Sequence, residues 1–206
     1  MYKINYLRVT DESSEREHLR TGFIDVYKEA FGGPPYFETY TDEDVLNKVW
    51  SPHLAKGIIV LALESEKVVG LGCAKPVSEA PPEDQIHFRT CREDGSLPGN
   101  IDTLWYMSEL AVLTSYRRQG IGCQLIAQRL ESILALGGDR YSLRTASQGS
   151  NSVRTYISIG AVQLRGTVDV SKTDQVQVNQ SKSLERIFFY GFCREAIERI
   201  RRRSVV

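Results

Sequence analysis

The stretch Tyr106–Leu136, YMSELAVLTSYRRQGIGCQLIAQRLESILAL, reads as an apolar strand, a polar turn with two glycines, and an amphipathic helix. Its centre is Arg117-Arg118-Gln119-Gly120-Ile121-Gly122. The first N–H groups of a helix have no partner within it, and the aligned peptide dipoles leave about half a positive charge at that end. Such a turn invites an anion. Gly120 and Gly122 have no Cβ, so a phosphate can reach the backbone, and Arg117 and Arg118 add donors that stay charged. Ile121, Leu125, Ile126, Leu130, Ile133 and Leu134 recur at helical spacing and give one apolar face. Gly137-Gly138 stops the helix.

Known phosphate turns narrow the choice. The Walker pattern needs a lysine after its glycines, and none follows here. The dinucleotide fingerprint needs a third glycine where Leu125 stands. The pattern [QR]-x-x-G-x-[GA] after a strand ending in L-x-V is matched by Arg117, Gly120 and Gly122 with Leu110 and Val112. Downstream, Tyr156-Ile157-Ser158-Ile159-Gly160-Ala161 matches Y-x-x-x-G-[FA]. On these motifs the sequence resembles the GNAT superfamily of acyl-CoA-dependent N-acyltransferases. One departure is that an asparagine common seven residues before the tyrosine is replaced by Gly149, with Asn151 close by but out of register.

Composition bounds the reading. At 206 residues, one domain over 1–206 is the expectation. Lys plus Arg and Asp plus Glu are equal at 26 each, so nothing pulls the chain toward nucleic acid or a membrane surface. No apolar run approaches the roughly 20 residues that span a bilayer, and MYKINYLRVT lacks the apolar core of a signal peptide. A cytoplasmic protein is expected. Cys73, Cys91, Cys123 and Cys193 are widely spaced and the histidines do not cluster with them, so neither a disulfide framework nor a metal site is expected.

Taken in order, Lys3–Thr10 reads as a strand, and Ser14 with Glu17 as a capping box opening a helix to about Phe31. Gly32-Gly33-Pro34-Pro35 breaks it, and Thr41 with Asp44 caps a short helix through Trp50. GIIVLALE and KVVGLGCAK form a hairpin, and Gly70 and Gly72 suggest a bulge or a close backbone approach. Residues 76–101 turn rich in Pro, Glu, Asp, Gly and Ser and read as a long inserted loop, a lid or a decoration, in which His87 and Cys91 have no evident partner. Strands follow at Arg140–Thr145, Ala161–Val170 and Leu184–Phe192, with a short helix capped by Ser150 or Asn151 and a polar turn over 171–182. The helix at about 193–203 pairs Glu195 with Arg199 and Glu198 with Arg202 at i,i+4, which favours a solvated face over a nucleic-acid or lipid contact.

The resemblance implies a mixed α/β fold: a twisted, mostly antiparallel seven-strand sheet with helices on both faces and a splayed central parallel strand pair. It implies acetyl-CoA as co-substrate, with no metal. The backbone of Leu110, Ala111 and Val112 would hold the pantetheine arm, and Arg117, Arg118, Gln119, Gly120, Ile121 and Gly122 the pyrophosphate, with Asn151 as a further cofactor contact. Tyr156 would be the acid for the leaving thiolate, or else a core tyrosine. Glu109 would be the base for the attacking amine, or else a strand-face carboxylate paired with an arginine. Tyr36, Phe37 and Tyr40 of FGGPPYFETY would line the acceptor pocket, or else tuck onto the core as a rigid connector. The acceptor would be an amine-bearing small molecule or protein, and the apolar LERIFFYGF permits a homodimer. A non-catalytic acyl-CoA sensor and a nucleotide-binding oxidoreductase are the competing classes.

Overall fold

The computed structural model describes residues 3–14, 16–34, 36–147, 152–170 and 184–203. Its strands are β1 (Ile4–Arg8), β2 (Ile58–Glu64), β3 (Lys67–Pro76), β4 (Leu104–Val112), β5 (Arg140–Ala146), β6 (Val162–Val170) and β7 (Leu184–Phe192). They form one seven-stranded mixed sheet in the order β1-β2-β3-β4-β5-β7-β6. The ladders β1–β2, β2–β3, β5–β7 and β6–β7 are antiparallel, and β4–β5 is parallel. This is not the parallel sheet of a dinucleotide-binding fold. The parallel ladder joins Leu104–Tyr106 to Arg140–Ser142, and β4 runs on to Val112.

The helices are α1 (Asp11–Ser14), α2 (Glu17–Gly32), α3 (Asp42–Val45), α4 (Ser51–Lys56), α5 (Pro82–Glu93), α6 (Ile121–Ala135), α7 (Ser152–Ser158) and α8 (Cys193–Arg203). By internal contacts the chain divides in two. One unit holds the described residues of Met1–Ala74 and Glu109–Arg129, the other those of Lys75–Ser108, Leu130–Asp174 and Gln180–Val206.

In the first unit, β2 and β3 are buried almost throughout, as uninterrupted apolar runs require. Ser65 turns between them at φ 55. Their register shifts between Ala62 and Leu63, so that Ala62 faces Gly70 but Leu63 faces Val68, which makes Val69 the bulged residue. Val69 offers its carbonyl to the Leu113 N–H at 3.0 Å. Helix α2 buries Leu19, Phe23, Ile24, Val26 and Tyr27, with Phe23 edge-on to Trp50 at 5.1 Å. The N-cap of α2 is Arg16 in place of the expected Ser14, with no side-chain bond, and Ser13 Oγ closes a turn onto Thr10. The Thr41–Asp44 box does form. The helix it opens passes Trp50 through a π-turn, Leu46–Trp50, and continues as α4, with Pro52 just after the turn.

In the second unit the loop expected over 76–101 proves to contain a twelve-residue helix, α5. Proline at its start and Glu83 and Asp84 in its first turn are ordinary N-terminal features. Periodicity failed because its inward face carries a charge. Asp84 is 0% exposed beside Phe88 and Cys91, and its Oδ1 accepts from Arg144 Nη1 of β5 at 2.7 Å. Phe88, Cys91, Leu97, Leu104, Tyr106, Leu164 and Phe188 form the core beneath α5. His87 and Cys91 are each other's partners, Sγ to Nε2 at 3.5 Å, one helical turn apart.

Breaking the Asp84–Arg144 pair from one side should cost more than removing it. Arg144→Met leaves a buried carboxylate uncompensated and is expected to lower unfolding free energy in urea by about 3–5 kcal/mol. The double variant with Asp84→Leu should recover most of that loss. Tyr141 is a contrasting case: its buried hydroxyl has no hydrogen-bond partner among the described residues. Tyr141→Phe should therefore leave stability unchanged or raise it by about 1 kcal/mol. A clear loss in the same melts would show a bond that the geometry does not contain.

Candidate functional site

The strand-to-helix turn is held from several sides while its crest stays open. Thr114 N–H donates to Glu29 Oε1 of α2 at 2.8 Å, and the Tyr116 hydroxyl to Glu64 Oε2 of β2 at 2.7 Å. Lys67 Nζ lies 5.5 Å from the centre of the Tyr116 ring. Arg117 Nε donates to the Val112 carbonyl at 3.1 Å, and Gln119 Nε2 reaches the Ser115 carbonyl at 3.4 Å. Arg118 and Gly120 take positive φ, 66 and 82, and Gln124 N–H donates back to the Gly120 carbonyl at 3.1 Å as α6 begins. Arg118, Gln119 and Gly120 are exposed; Ile121 turns into the core and Gly122 is half-buried. A Cβ built at Gly120 or Gly122 would meet no atom within 4 Å. The glycines thus leave open space over the first turn of a long helix, the geometry that admits a phosphate.

The end of β4 is fixed from α6. Arg129 is 0% exposed, and its guanidinium spends its donors on carbonyls: Nη1 to Cys73 at 2.9 Å and to Glu109 at 2.8 Å, and Nε to Leu125 at 3.2 Å. Gly72 makes room for it, since a Cβ there would lie 2.8 Å from Arg129 Nε. The close approach anticipated at Gly72 is therefore by a side chain. At Gly70 it is by backbone, the Ala111 carbonyl at 3.1 Å. Of the residues expected to meet the pantetheine arm, Ala111 is buried, and Leu110 and Val112 are half-buried.

Glu109 is half-buried and stands within electrostatic reach of Tyr27 and Tyr40, whose ionisation its charge opposes. Burial is the larger cause in both, and together these effects hold both phenols well above the ordinary tyrosine value. Their hydroxyls share a hydrogen bond, and that of Tyr40 donates to Glu38 Oε2 at 2.6 Å. The rings continue as a chain, Tyr40 to Tyr27 at 5.2 Å, Tyr27 to Phe31 at 4.5 Å and Phe31 to Tyr36 at 5.2 Å. Tyr36 and Tyr40 pack into the aromatic row, while Phe37 projects into solvent, 58% exposed, from a backbone at φ 49. Tyr27, Glu38 and Arg129 were missed in the sequence. An Arg within the apolar spacing of α6 and a Gly inside a buried strand were the available signals for Arg129, whereas Tyr27 reads only as a core residue until the fold sets Glu109 near it.

Tyr156 belongs to the second unit. It lies on α7, 3% exposed, with its ring 6.4 Å from that of Tyr141. The N–H groups of Ile159 and Ala161 both converge on its carbonyl, and Gly160 ends the helix at φ 95. Asn151 and Gly149 lie outside the described residues. The structure brings Glu109 and Tyr40 into one cluster; Phe37 stands apart from it, exposed. No described helix is long and apolar enough to cross a membrane.

Among curated proteins none matches the sequence. Among solved structures the fold is similar to the ribosomal-protein-alanine N-acetyltransferase of Brucella melitensis, with TM-score 0.63 and 14% identity over 91% of this chain and 99% of that one. An N-acetyltransferase of Staphylococcus aureus Mu50 gives 0.63 and 13% over 92% and 99%. The ribosomal-protein-S18-alanine N-acetyltransferase of Escherichia coli gives 0.60 and 10% over 93% and 94%. At these identities the likeness is one of fold. The sequence itself matches the model of the acetyltransferase (GNAT) family over residues 23–160, and with the open glycine turn and the parallel β4–β5 ladder inside that span, the chain belongs to this family of acyl-CoA-dependent acyltransferases.

Proposed function

We propose that this chain transfers an acetyl group from acetyl-CoA to a primary amine by direct attack, without a covalent acyl-enzyme. The observation that carries the reading is the empty space over Gly120 and Gly122 at the start of α6. Backbone N–H groups and the exposed Arg118 there suit a pyrophosphate. Arg117 gives only its Nε–H to the Val112 carbonyl and is exposed, so its remaining N–H donors serve the pyrophosphate as well.

The chemistry asks three things of the protein. The amine must be neutral when it attacks, so a proton has to leave its nitrogen; Glu109 accepts it, directly or through water. The thioester carbonyl needs a donor as its oxygen gains charge, and β4 backbone N–H groups beyond the parallel ladder supply one. The sulfur departs as the C–N bond forms and the C–S bond breaks, and Tyr156 protonates it. Amine and thioester thus yield amide and thiol, with the proton taken by Glu109 balanced by the one Tyr156 gives. The carboxylates of Glu38 and Glu109 with the rings of Tyr27 and Tyr40 would receive the acceptor, its ammonium attracted before it loses a proton. A second reading, a non-catalytic acyl-CoA-binding module, is favoured by one observation: Tyr156 is as buried as a packing residue.

Calorimetry with acetyl-CoA is the direct test, and about one equivalent should bind. Gly120→Val places a β-branched residue at φ 82 beneath the ligand, so affinity should fall at least roughly tenfold; an unchanged affinity removes the pyrophosphate from this turn. Tyr156→Phe should keep acetyl-CoA affinity and lower kcat in an amine-acceptor assay by about 10²–10⁴. Unaltered turnover would instead favour the packing role.

The acceptor cluster also predicts a pH dependence. Tyr27 and Tyr40 have native pKa values raised above the ordinary 10.0, so the folded state holds their protons more tightly than the unfolded chain. Their stabilising contribution is complete below pH 10.0 and is lost as pH climbs toward the native values. Urea midpoints should fall steeply above that pH, and less steeply for Tyr27→Phe; identical slopes would mean that Tyr27 ionises freely in the folded protein.

A further inference from the structure

Arg129 places a charge where the apolar stripe of α6 would accept a leucine. Leu125, Ile126, Leu130 and Ile133 around it are fully buried, as it is. Burying a guanidinium costs several kcal/mol, and an apolar side chain of similar volume would cost less. Its packing alone therefore gives it no advantage. What distinguishes it is the peptide it grips. Nη1 lies 2.9 Å from the Cys73 carbonyl of β3 and 2.8 Å from the Glu109 carbonyl of β4, so both carbonyls converge on one nitrogen. The Glu109 C=O consequently points to the β3 side of its strand.

The carbonyl of Glu109 and the N–H of Leu110 belong to the same peptide, and in a trans peptide they point in opposite directions. The Leu110 N–H therefore faces the edge of β4 away from β3. Strand alternation supports this independently. The Leu113 N–H donates to Val69 of β3, so residues 111 and 109 share its direction and residues 110 and 112 face the other edge. There the Val112 carbonyl is taken by Arg117 instead of by a strand, and the parallel ladder has already ended at Tyr106. A positive charge bonded to one end of an amide makes its other end a stronger donor.

We propose that Arg129 is a positioning residue for acyl transfer: through the Glu109–Leu110 peptide it aims and polarises the Leu110 N–H toward the thioester carbonyl oxygen. This rests on the acyl-CoA reading above, and it assigns that oxygen one particular donor, strengthened by a buried charge that never touches the ligand. Gly72 is part of the same device, because only a residue without Cβ leaves the guanidinium its place.

The test compares acetyl-CoA with its thioether analogue S-ethyl-CoA, which lacks the carbonyl, by calorimetry on the wild-type protein and on Arg129→Met. Replacing a buried charge by an apolar side chain is a change that folds tolerate, and Gly72→Ala, which crowds the guanidinium without removing it, serves if Arg129→Met does not fold. The variant should bind S-ethyl-CoA as the wild type does and lose the additional affinity that the carbonyl confers. In turnover its kcat should fall roughly tenfold, a part of the 10²–10³ lost when an oxyanion donor is removed outright, with KM for acetyl-CoA rising by no more than the affinity lost in calorimetry. Parallel weakening toward both ligands, or an unchanged kcat, would overturn the proposal and leave Arg129 a packing residue. A wild-type protein that binds neither ligand would instead overturn the acyl-CoA reading on which it rests.

Discussion

The constraint on which the first unit turns is that a buried guanidinium must be given acceptors. Arg129 finds them in the carbonyls of Leu125, Cys73 and Glu109, and in doing so ties a helix to two strands at one point. Gly72 loses its side chain to admit it, and the Glu109 peptide takes its direction from it. The anion turn lies between these tied elements, at the junction of β4 and α6. Several of its polar groups help to hold its shape: Arg117 on Val112, Gln119 on Ser115, Thr114 on Glu29 and Tyr116 on Glu64. Arg117, Arg118, Gln119 and the backbone at Gly120 stay exposed, which is what a phosphate ligand can use.

The second unit solves a related problem in a different way. Asp84 and Arg144 pay the desolvation cost jointly, with their charges 2.7 Å apart in a core that is otherwise aromatic and aliphatic. Burial still dominates at Asp84, pushing its pKa up despite the neighbouring cation. His87, stacked on Phe188 at 4.1 Å, is driven the other way, toward its neutral form, and burial raises the Cys91 thiol. The thiol and imidazole are thus kept as an uncharged contact, which is why their proximity does not make a nucleophile.

How much of this was legible in the sequence depended on how local its cause was. The helix from Ile121, its stop at Gly137, the Thr41–Asp44 box and strand β7 all arise from residues within a few positions of one another, and pattern alone located them. Helix α5 was hidden because Asp84 occupies an inward position that Arg144, distant in sequence, makes tolerable. In the candidate site the glycine turn could be read because its chemistry lies in the backbone. The Tyr27–Tyr40–Glu38 cluster near Glu109 could not, since it exists only once α2 and β4 are neighbours.

The π-turn at Leu46–Trp50 has a consequence for how this chain tolerates change in length. Ser51 N–H reaches back to the Leu46 carbonyl, one residue further than an α-helix would. The turn therefore holds one surplus residue within a continuous helical rod from Asp42 to Lys56. Each residue advances an α-helix by 100°, so deleting the surplus would rotate the capped start of the rod relative to its end. Val45 and Val49-Trp50 could not then all face the core they now enter. The irregularity works as a phase adjustment, and this part of the chain is sensitive to residue count more than to residue identity.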